Sequence, residues 1–301
     1  MIQQIVPIFL VISFGFVLSL LRVASKDWVP VLNKFGLYVG FPILIFVNMI
    51  ELDRELLISQ LPVVGITIAI ICTFMLITYL TIRVFQVPLS IGTLLIVAVF
   101  NGNTGYLGFP LITAIIPGSE PTIGLIVAAY TISLYTVGIF LLDSLTGENR
   151  SPAAQFRQII TSPFLIAIIC GVIVIYTEIQ LPEPLMSSFY MIEAAAGPVV
   201  LVSLGIFMFR KISIRSILLP FLLLFVVKMV VFPAVFMFTG SILSLGKAFQ
   251  IASLEAAMPS AVSIFALSDR YPFDKELAAS MIVISTLISP LLFPMYVALI
   301  S

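Results

Sequence analysis

Two clusters of polar and helix-breaking residues interrupt apolar stretches of this 301-residue chain. The first combines amide and hydroxyl side chains with residues that loosen or break a helix: Asn101, Gly102, Asn103, Thr104, Gly105, Gly108 and Pro110. The second, at residues 255–261, contains Glu255, Pro259 and Ser260. Backbone groups that glycine or proline frees at membrane depth must line protein or a water-filled cavity. Both clusters therefore predict a polar site within segments that are otherwise fit to span a bilayer.

The first cluster is suited to binding an anion. A helix that stops near Asn101 and restarts between Gly105 and Gly108 presents free backbone N–H groups and the positive end of its dipole. Such an end attracts a carboxylate or another anion. The alternative is that the glycines are small residues at a helix–helix crossing. Together with a second break, the cluster favours a substrate site, with Gly108 and Pro110 as helix-breaking residues. The predicted substrate-binding residues are Asn101, Gly102, Asn103, Thr104, Gly105, Pro259 and Ser260.

The second cluster contains fewer polar groups. Pro259 removes a backbone donor and clashes with the carbonyl of Glu255, four residues earlier. The Ser260 hydroxyl can hydrogen-bond to backbone that is freed in this way. A simple proline kink is the rival interpretation, and the case for a true break depends on the repeat described below.

Two ionisable side chains, Lys228 and Glu255, lie inside apolar segments. An ionisable residue within a membrane span is by default a functional-site hypothesis. We expect the two to pair and to act as a proton relay, as a substitute for a coupling cation or as a substrate anchor. The alternatives are a purely structural ion pair, or a Lys228 side chain that extends to the membrane surface. A further polar set could line a cavity, although a structural role at helix crossings is favoured for it: Asn48, Tyr130, Thr131, Tyr135 and Thr136.

Several other chemistries are excluded by what the sequence lacks. It has no histidine, which excludes the usual zinc ligand sets and every histidine-dependent catalytic triad. It contains no Walker loop, dinucleotide fingerprint or HExxH motif. We therefore expect no enzyme activity, no bound metal and no cofactor, and the zero net charge gives no indication of a nucleic-acid partner.

The composition is that of an all-α integral membrane protein. Hydrophobic residues make up 61% and charged residues 9% of the chain, whereas a soluble domain is about a quarter charged. Ten segments are near or above the ~20 residues that a membrane helix needs. Their approximate bounds are 3–22, 30–51, 60–84, 88–116 (broken), 120–142, 156–177, 186–209, 215–240, 247–268 (broken) and 274–300.

Basic residues are distributed unevenly between the loops. The loops after the odd-numbered spans hold eleven lysines and arginines, and those after the even-numbered spans hold two. Basic residues concentrate in cytoplasmic loops. Both termini are therefore expected to face away from the cytoplasm.

Helix-perturbing residues recur in one register along the chain. Five pairs are separated by 156 to 158 residues: Pro7 and Pro163, Gly15 and Gly171, Pro42 and Pro198, Pro62 and Pro220, and Gly102 and Pro259. This spacing predicts two five-span repeats, residues 1–142 and 156–301, joined by a cytoplasmic loop at 143–155. Because five is an odd number, the second repeat enters the membrane from the opposite side and the repeats are inverted.

The two breaks resemble those of a known family. Residues 103–111, Asn-Thr-Gly-Tyr-Leu-Gly-Phe-Pro-Leu, resemble the fourth span of the auxin efflux carrier family. Residues 256–261, continuing to Tyr271, resemble its ninth span, and residues 197–205 are similar to its seventh. Plant members carry a proline where Gly102 stands, and often a long loop after span 5 that this chain lacks. The chain looks like a member of the compact prokaryotic-type branch.

The resemblance implies a fold like that of bile-acid symporters and sodium/proton antiporters, with spans 4 and 9 crossing at their breaks. Spans 1, 2, 6 and 7 would form a scaffold, and spans 3–5 and 8–10 a mobile transport domain, commonly in a homodimer. Members move organic anions such as auxin, malate or malonate. The plant carriers have an acidic residue in span 3 that is linked to protonation. Span 3 here has none, and Lys228 is expected to do a related job.

We therefore expect a secondary active transporter of a small organic anion in a prokaryotic plasma (inner) membrane, working by an elevator-type mechanism. Its coupling ion is left open between H⁺ and Na⁺. The alternatives are a sodium- or proton-coupled cation carrier of the same fold, and a membrane sensor or channel.

Overall fold

The computed structural model describes residues 2–52, 54–148, 151, 153, 157, 160–209, 218–267 and 270–300. Parts of several predicted features lie outside these residues. They are most of the second half of the 143–155 loop, the start of the sixth span, the loop that carries Arg210, Lys211 and Arg215, the start of the eighth span and the end of the ninth. Over the described ranges the secondary structure is helical, with one isolated antiparallel bridge between Gly102 and Ser260.

The helices follow the apolar segments of the sequence and are interrupted by π-helical turns. In chain order they are α1 Ile2–Leu20, α2 Trp28–Phe35, π1 Gly36–Gly40, α3 Phe41–Ile50, α4 Arg54–Val84, α5 Leu89–Ala98, π2 Thr104–Gly108, α6 Phe109–Ile115, α7 Glu120–Ser133, π3 Leu134–Gly138, α8 Ile139–Thr146, α9 Pro163–Thr177, α10 Glu183–Met208, α11 Leu218–Val226, π4 Val227–Val231, α12 Phe232–Leu243, α13 Gly246–Ala256, α14 Ser263–Leu267 and α15 Lys275–Ile300.

Within the described residues, six helical stretches are long and apolar enough to cross a membrane: Trp28–Ile50, Arg54–Val84, Glu120–Thr146, Glu183–Met208, Phe221–Leu243 and Lys275–Ile300. Four shorter apolar helices accompany them: Val6–Leu20, Leu89–Ala98, Thr104–Ile115 and Pro163–Thr177. The chain is therefore a multi-pass integral membrane protein, as its composition predicted.

The chain divides into two compact units. The first contains Met1–Pro62, Gly105–Ala128 and Ile160–Arg210, and the second contains Val63–Thr104, Ala129–Ile159 and Lys211–Ser301. Spans 1, 2 and 7 of the sequence analysis and most of span 6 lie in the first unit, together with residues 105–128. Spans 8 to 10, most of span 3 and the parts of spans 4 and 5 outside 105–128 lie in the second.

The first unit is organised around a close crossing of α1 and α10. Gly15 and Gly205 face each other there, and a Cβ atom at Gly205 would lie 1.9 Å from the carbonyl oxygen of Ile12. Only glycine allows two helix backbones to approach so closely. In the same unit α9 packs on α3, where a Cβ at Gly171 would lie 2.6 Å from the Cβ of Met49.

The second unit has an aromatic core. The Phe232 ring contacts Phe74 and Phe236 edge to face, with centroids 5.0 and 5.2 Å apart, and Phe236 stacks on Phe249 at 5.7 Å. Phe232, Phe236 and Phe249 are almost completely buried. These contacts hold α12 against α13, the first half of the broken ninth span.

Three of the four π-helical turns in the described helices end directly before a Phe-Pro dipeptide, at Phe41-Pro42, Phe109-Pro110 and Phe232-Pro233. Proline has no N–H to donate and its ring clashes with the carbonyl four residues earlier. One extra residue in the turn widens the helix and relieves that clash. In π4 the carbonyl that Pro233 cannot reach is that of Met229, and it accepts a hydrogen bond from the Tyr296 hydroxyl of α15.

Candidate functional site

Both interruptions that the sequence predicted are present. Regular helix ends at Ala98 in the fourth span and resumes at Thr104, whereas the predicted restart lay between Gly105 and Gly108. The ninth span is interrupted between Ala256, where α13 ends, and Ser263, where α14 begins. Its break is therefore longer than a simple proline kink.

The two interruptions pair with each other through their backbones. The Asn103 N–H donates to the carbonyl of Pro259 at 2.6 Å, and the Ala261 N–H donates to the carbonyl of Asn101 at 3.1 Å. Between these two bonds, Gly102 and Ser260 form the antiparallel bridge. We call residues 101–103 and 259–261 the paired breaks. Through this pairing, backbone groups that the two helices leave free satisfy each other away from water.

Helix α15 supports the paired breaks from one side. The Ser260 N–H donates to the Ser285 hydroxyl at 3.1 Å, and that hydroxyl donates to the carbonyl of Met281 at 2.5 Å. Ser260 and Ser285 are fully buried. Ser285 was not singled out from the sequence, because it is one of three serines in this apolar helix and their spacing does not distinguish it from Ser280 or Ser289.

The polar side chains on the paired breaks keep unused hydrogen-bonding capacity. Asn101 is 9% exposed and Asn103 is 3% exposed. The amide nitrogen of each, and the Ser260 hydroxyl, have no hydrogen-bond partner among the described residues. Buried polar groups are normally hydrogen-bonded, and each exception needs an explanation. Here the unused donors cluster at one buried place, which is an arrangement suited to a polar ligand.

Lys228 brings a positive charge to the same place. Its side chain is fully buried, and its Nζ donates to the carbonyl of Ala256 at 2.9 Å. The ammonium also lies over the Phe232 ring, 5.1 Å from the centroid. A Cβ atom at Gly102 would lie 3.2 Å from Nζ, so the ammonium touches the first break. Because Ala256 ends α13, the charge also complements the negative end of that helix.

Glu255 lies next to this bond but does not share it. Its side chain is fully buried, and neither carboxylate oxygen has a hydrogen-bond partner within the described part of the chain. The sequence predicted a Lys228–Glu255 pair. No ion pair between them within 4.0 Å occurs among the described residues. They interact electrostatically at longer range, because the ammonium is directed to the Ala256 carbonyl instead.

The remaining predicted site residues are divided between the two units. Thr104 opens π2 in the second unit and is buried. Gly105 belongs to the first unit, where a Cβ would contact the Phe41 ring at 3.6 Å. Gly108 ends π2, and Pro110 lies in the first turn of α6, so both follow the interruption and do not form it.

The residues considered as a cavity lining are also separated. In the first unit the Asn48 amide donates to the Glu193 carboxylate at 2.8 Å and to the carbonyl of Leu44 at 2.7 Å. In the second unit Thr136 donates to the carbonyl of Ile132 within its own helix. Tyr130 differs from both, because it is 3% exposed, its hydroxyl has no partner among the described residues and it interacts electrostatically with Glu255.

Buried polar groups on two broken helices within a multi-pass membrane protein define a membrane transporter. Residues 1–297 match the model of a family described as membrane transport protein, and the chain belongs to that family. This confirms the membership that the two breaks predicted.

Three relatives cover nearly the whole chain. An uncharacterized transporter of Methanothermobacter thermautotrophicus is 27% identical, over 98% of this chain and 96% of its own. A protein of Rhizobium meliloti named "Putative malonate transporter" is 27% identical, over 95% and 91%. An uncharacterized transporter of Methanocaldococcus jannaschii is 24% identical, over 96% and 95%. All three names are those of transporters, and the chain is a transporter rather than an enzyme.

Proposed function

We propose that this protein is a secondary active transporter of a small organic anion, a carboxylate. One observation carries the proposal: the buried Lys228 ammonium reaches the paired breaks, where the Asn101 and Asn103 amides have unused donors. A charge-assisted bond from lysine and two amide donors match the acceptor oxygens of a carboxylate. The name of the Rhizobium meliloti relative supports the same substrate class.

The transport cycle that we propose is alternating access of the elevator type. The paired breaks, Lys228 and Glu255 all belong to the second unit, which supports a substrate site carried by one moving body. The proposal includes ten spans in two inverted repeats, with helices 4 and 9 broken and crossing, in a homodimer in the prokaryotic inner membrane. The six long and four shorter apolar helices support nine of these spans, with Leu89–Ala98 and Thr104–Ile115 as two halves of the fourth, and α13 and α14 correspond to the broken ninth. Both H⁺ and Na⁺ are compatible with it as coupling ions.

A cation carrier of the same architecture is the second candidate, and Glu255 favours it. A buried carboxylate with both oxygens unpartnered is a possible ligand for a cation. Within the described residues, however, no group of three acidic, cysteine or histidine residues is placed to hold a metal ion. The nearby Lys228 ammonium would also repel a cation, so the anion is the better-supported substrate.

The test is the thermal stability of the purified protein with a panel of mono- and dicarboxylates, indole-3-acetate, Na⁺ and different pH values. A ligand present at 100 times its dissociation constant adds ~2.7 kcal/mol to the free energy of unfolding. We expect one carboxylate, with malonate as the first probe, to raise the melting temperature. We expect Asn103→Ala and Lys228→Met to lose that increase.

Two variants serve as controls. Asn48→Ala removes a buried amide from the first unit, and Lys247→Met removes an exposed lysine from α13. Both are expected to keep the full carboxylate-dependent increase, even where the variant itself melts at a lower temperature. An increase with Na⁺ alone, unchanged in Asn103→Ala, would refute the anion proposal and support the cation carrier.

A further inference from the structure

Glu255 is a buried acidic residue that has no role in binding the anion at the proposed site. It lies in the last turn of α13, is fully buried, and has both carboxylate oxygens unpartnered among the described residues. An ionised carboxylate is stable in such a place only when a charge partner or hydrogen bonds replace the water that it has lost. The charges around Glu255 therefore decide whether it is ionised or carries a proton.

Among the described residues, two titratable groups interact electrostatically with Glu255. Lys228 faces it from π4, and Tyr130 faces it from α7. Among the described helices, α12 and α15 make the most extensive contacts with α13. Helix α12 has no titratable residue, and α15 has none between Leu277 and Met295. Within the described chain, Lys228 is thus the cation that faces this carboxylate.

One ammonium neutralises one negative charge. When the site is empty, the Lys228 ammonium and an ionised Glu255 carry zero net charge together. When a substrate carboxylate binds beside Lys228, an ionised Glu255 would leave an extra negative charge on a fully buried side chain. That charge is expensive to bury. Protonation of Glu255 removes one negative charge from the site. The net charge of Lys228, Glu255 and the substrate then becomes zero with a monocarboxylate, and −1 instead of −2 with a fully ionised dicarboxylate.

We propose that Glu255 is a proton-binding site that couples anion transport to the proton gradient. The carboxylate takes up one proton from the water on the side where the anion enters, forming a neutral carboxylic acid. It releases that proton to the water on the other side, after the anion has left, and no other bond changes. The protein is then an anion–proton symporter that requires no Na⁺. This inference deepens the proposed function and rests on it.

The first measurement uses the wild-type protein in proteoliposomes that contain a pH-sensitive dye. An inward malonate gradient is expected to carry protons inward with it. An imposed gradient with the acid side outside should concentrate malonate inside, whereas a Na⁺ gradient at equal pH should not. Protein-free liposomes correct for diffusion of the neutral acid. Malonate uptake without proton movement would overturn the role of Glu255 and leave the anion proposal intact. If no carboxylate is taken up at all, both the role of Glu255 and the anion proposal are refuted.

The second measurement compares two acid-to-amide variants. Glu255→Gln resembles the protonated acid permanently, so it should still exchange malonate for malonate but lose accumulation driven by the pH gradient. The control is Glu193→Gln, which alters a half-buried carboxylate of the first unit that accepts a bond from Asn48. It should keep the wild-type ratio of accumulation to exchange. A Glu255→Gln protein that accumulates malonate as wild type does would refute the proposal. If that variant does not fold, the dye measurement on the wild type decides.

Discussion

The Lys228 ammonium reaches the paired breaks because Gly102 has no side chain. The space that a Cβ would take at Gly102 is bounded by Lys228 Nζ at 3.2 Å, and by the Glu255 carbonyl oxygen and the Met258 Cβ, both at 3.3 Å. Two of these three neighbours are backbone or Cβ atoms that cannot rotate away. The flexible neighbour is the lysine, so any side chain at this position displaces the ammonium first.

We predict that Gly102→Ala impairs substrate binding in addition to folding. Overpacking of a buried site costs about 1–3 kcal/mol of stability, while displacement of the ammonium should raise the dissociation constant of the carboxylate about tenfold or more, or ~1.4 kcal/mol. Thermal melting with and without malonate separates the two effects. Gly65→Ala is the matched control, since a Cβ there meets nothing within 4 Å. Equal malonate-dependent stabilisation in Gly102→Ala and wild type would show that the ammonium position does not matter.

The π-helical turn that carries Lys228 depends on Pro233, which follows it in the same span, and on Tyr296 of α15. Pro233 cannot donate to the Met229 carbonyl, and the Tyr296 hydroxyl of α15 does so instead. Met229 and Phe232 are fully buried, so no water is at hand to replace this bond. The position of the lysine along its helix thus depends on a tyrosine that lies 68 residues further along the sequence.

We predict that Tyr296→Phe destabilises the protein because it leaves a buried carbonyl without a partner, at a cost of about 1–3 kcal/mol. In a Pro233→Ala background the restored backbone N–H can bond to Met229, and the same substitution should cost much less. A double-mutant cycle measured by thermal or denaturant unfolding gives this difference directly. If Tyr296→Phe costs the same in both backgrounds, the tyrosine acts through packing and not through the carbonyl.

At the scale of the whole molecule, the sequence predicted where helices are interrupted, but it did not predict which residues of distant helices contact the interruptions. Glycine and asparagine marked the first break and proline the second, because these residues weaken or interrupt a helix through their own backbone and side chain. The bond from Lys228 to the Ala256 carbonyl and the Ser285 support of Ser260 were not foreseen. They depend on which distant helix faces the break, and no spacing along the chain encodes that. For the same reason the predicted Lys228–Glu255 pair interacts electrostatically without an ion pair within 4.0 Å, and both residues are buried in the second unit.

The charge pattern of the whole chain makes a prediction about its orientation. The eleven basic residues in loops after odd-numbered spans, against two after even-numbered spans, predict both termini outside the cytoplasm. Single cysteines introduced after replacing Cys72 and Cys170 with serine would report on this. A cysteine at Glu55, after span 2, should react with a membrane-impermeant maleimide in intact cells, and one at Ser25, after span 1, only after permeabilisation. The reverse labelling pattern would place the basic loops outside the cell and would contradict the predicted orientation.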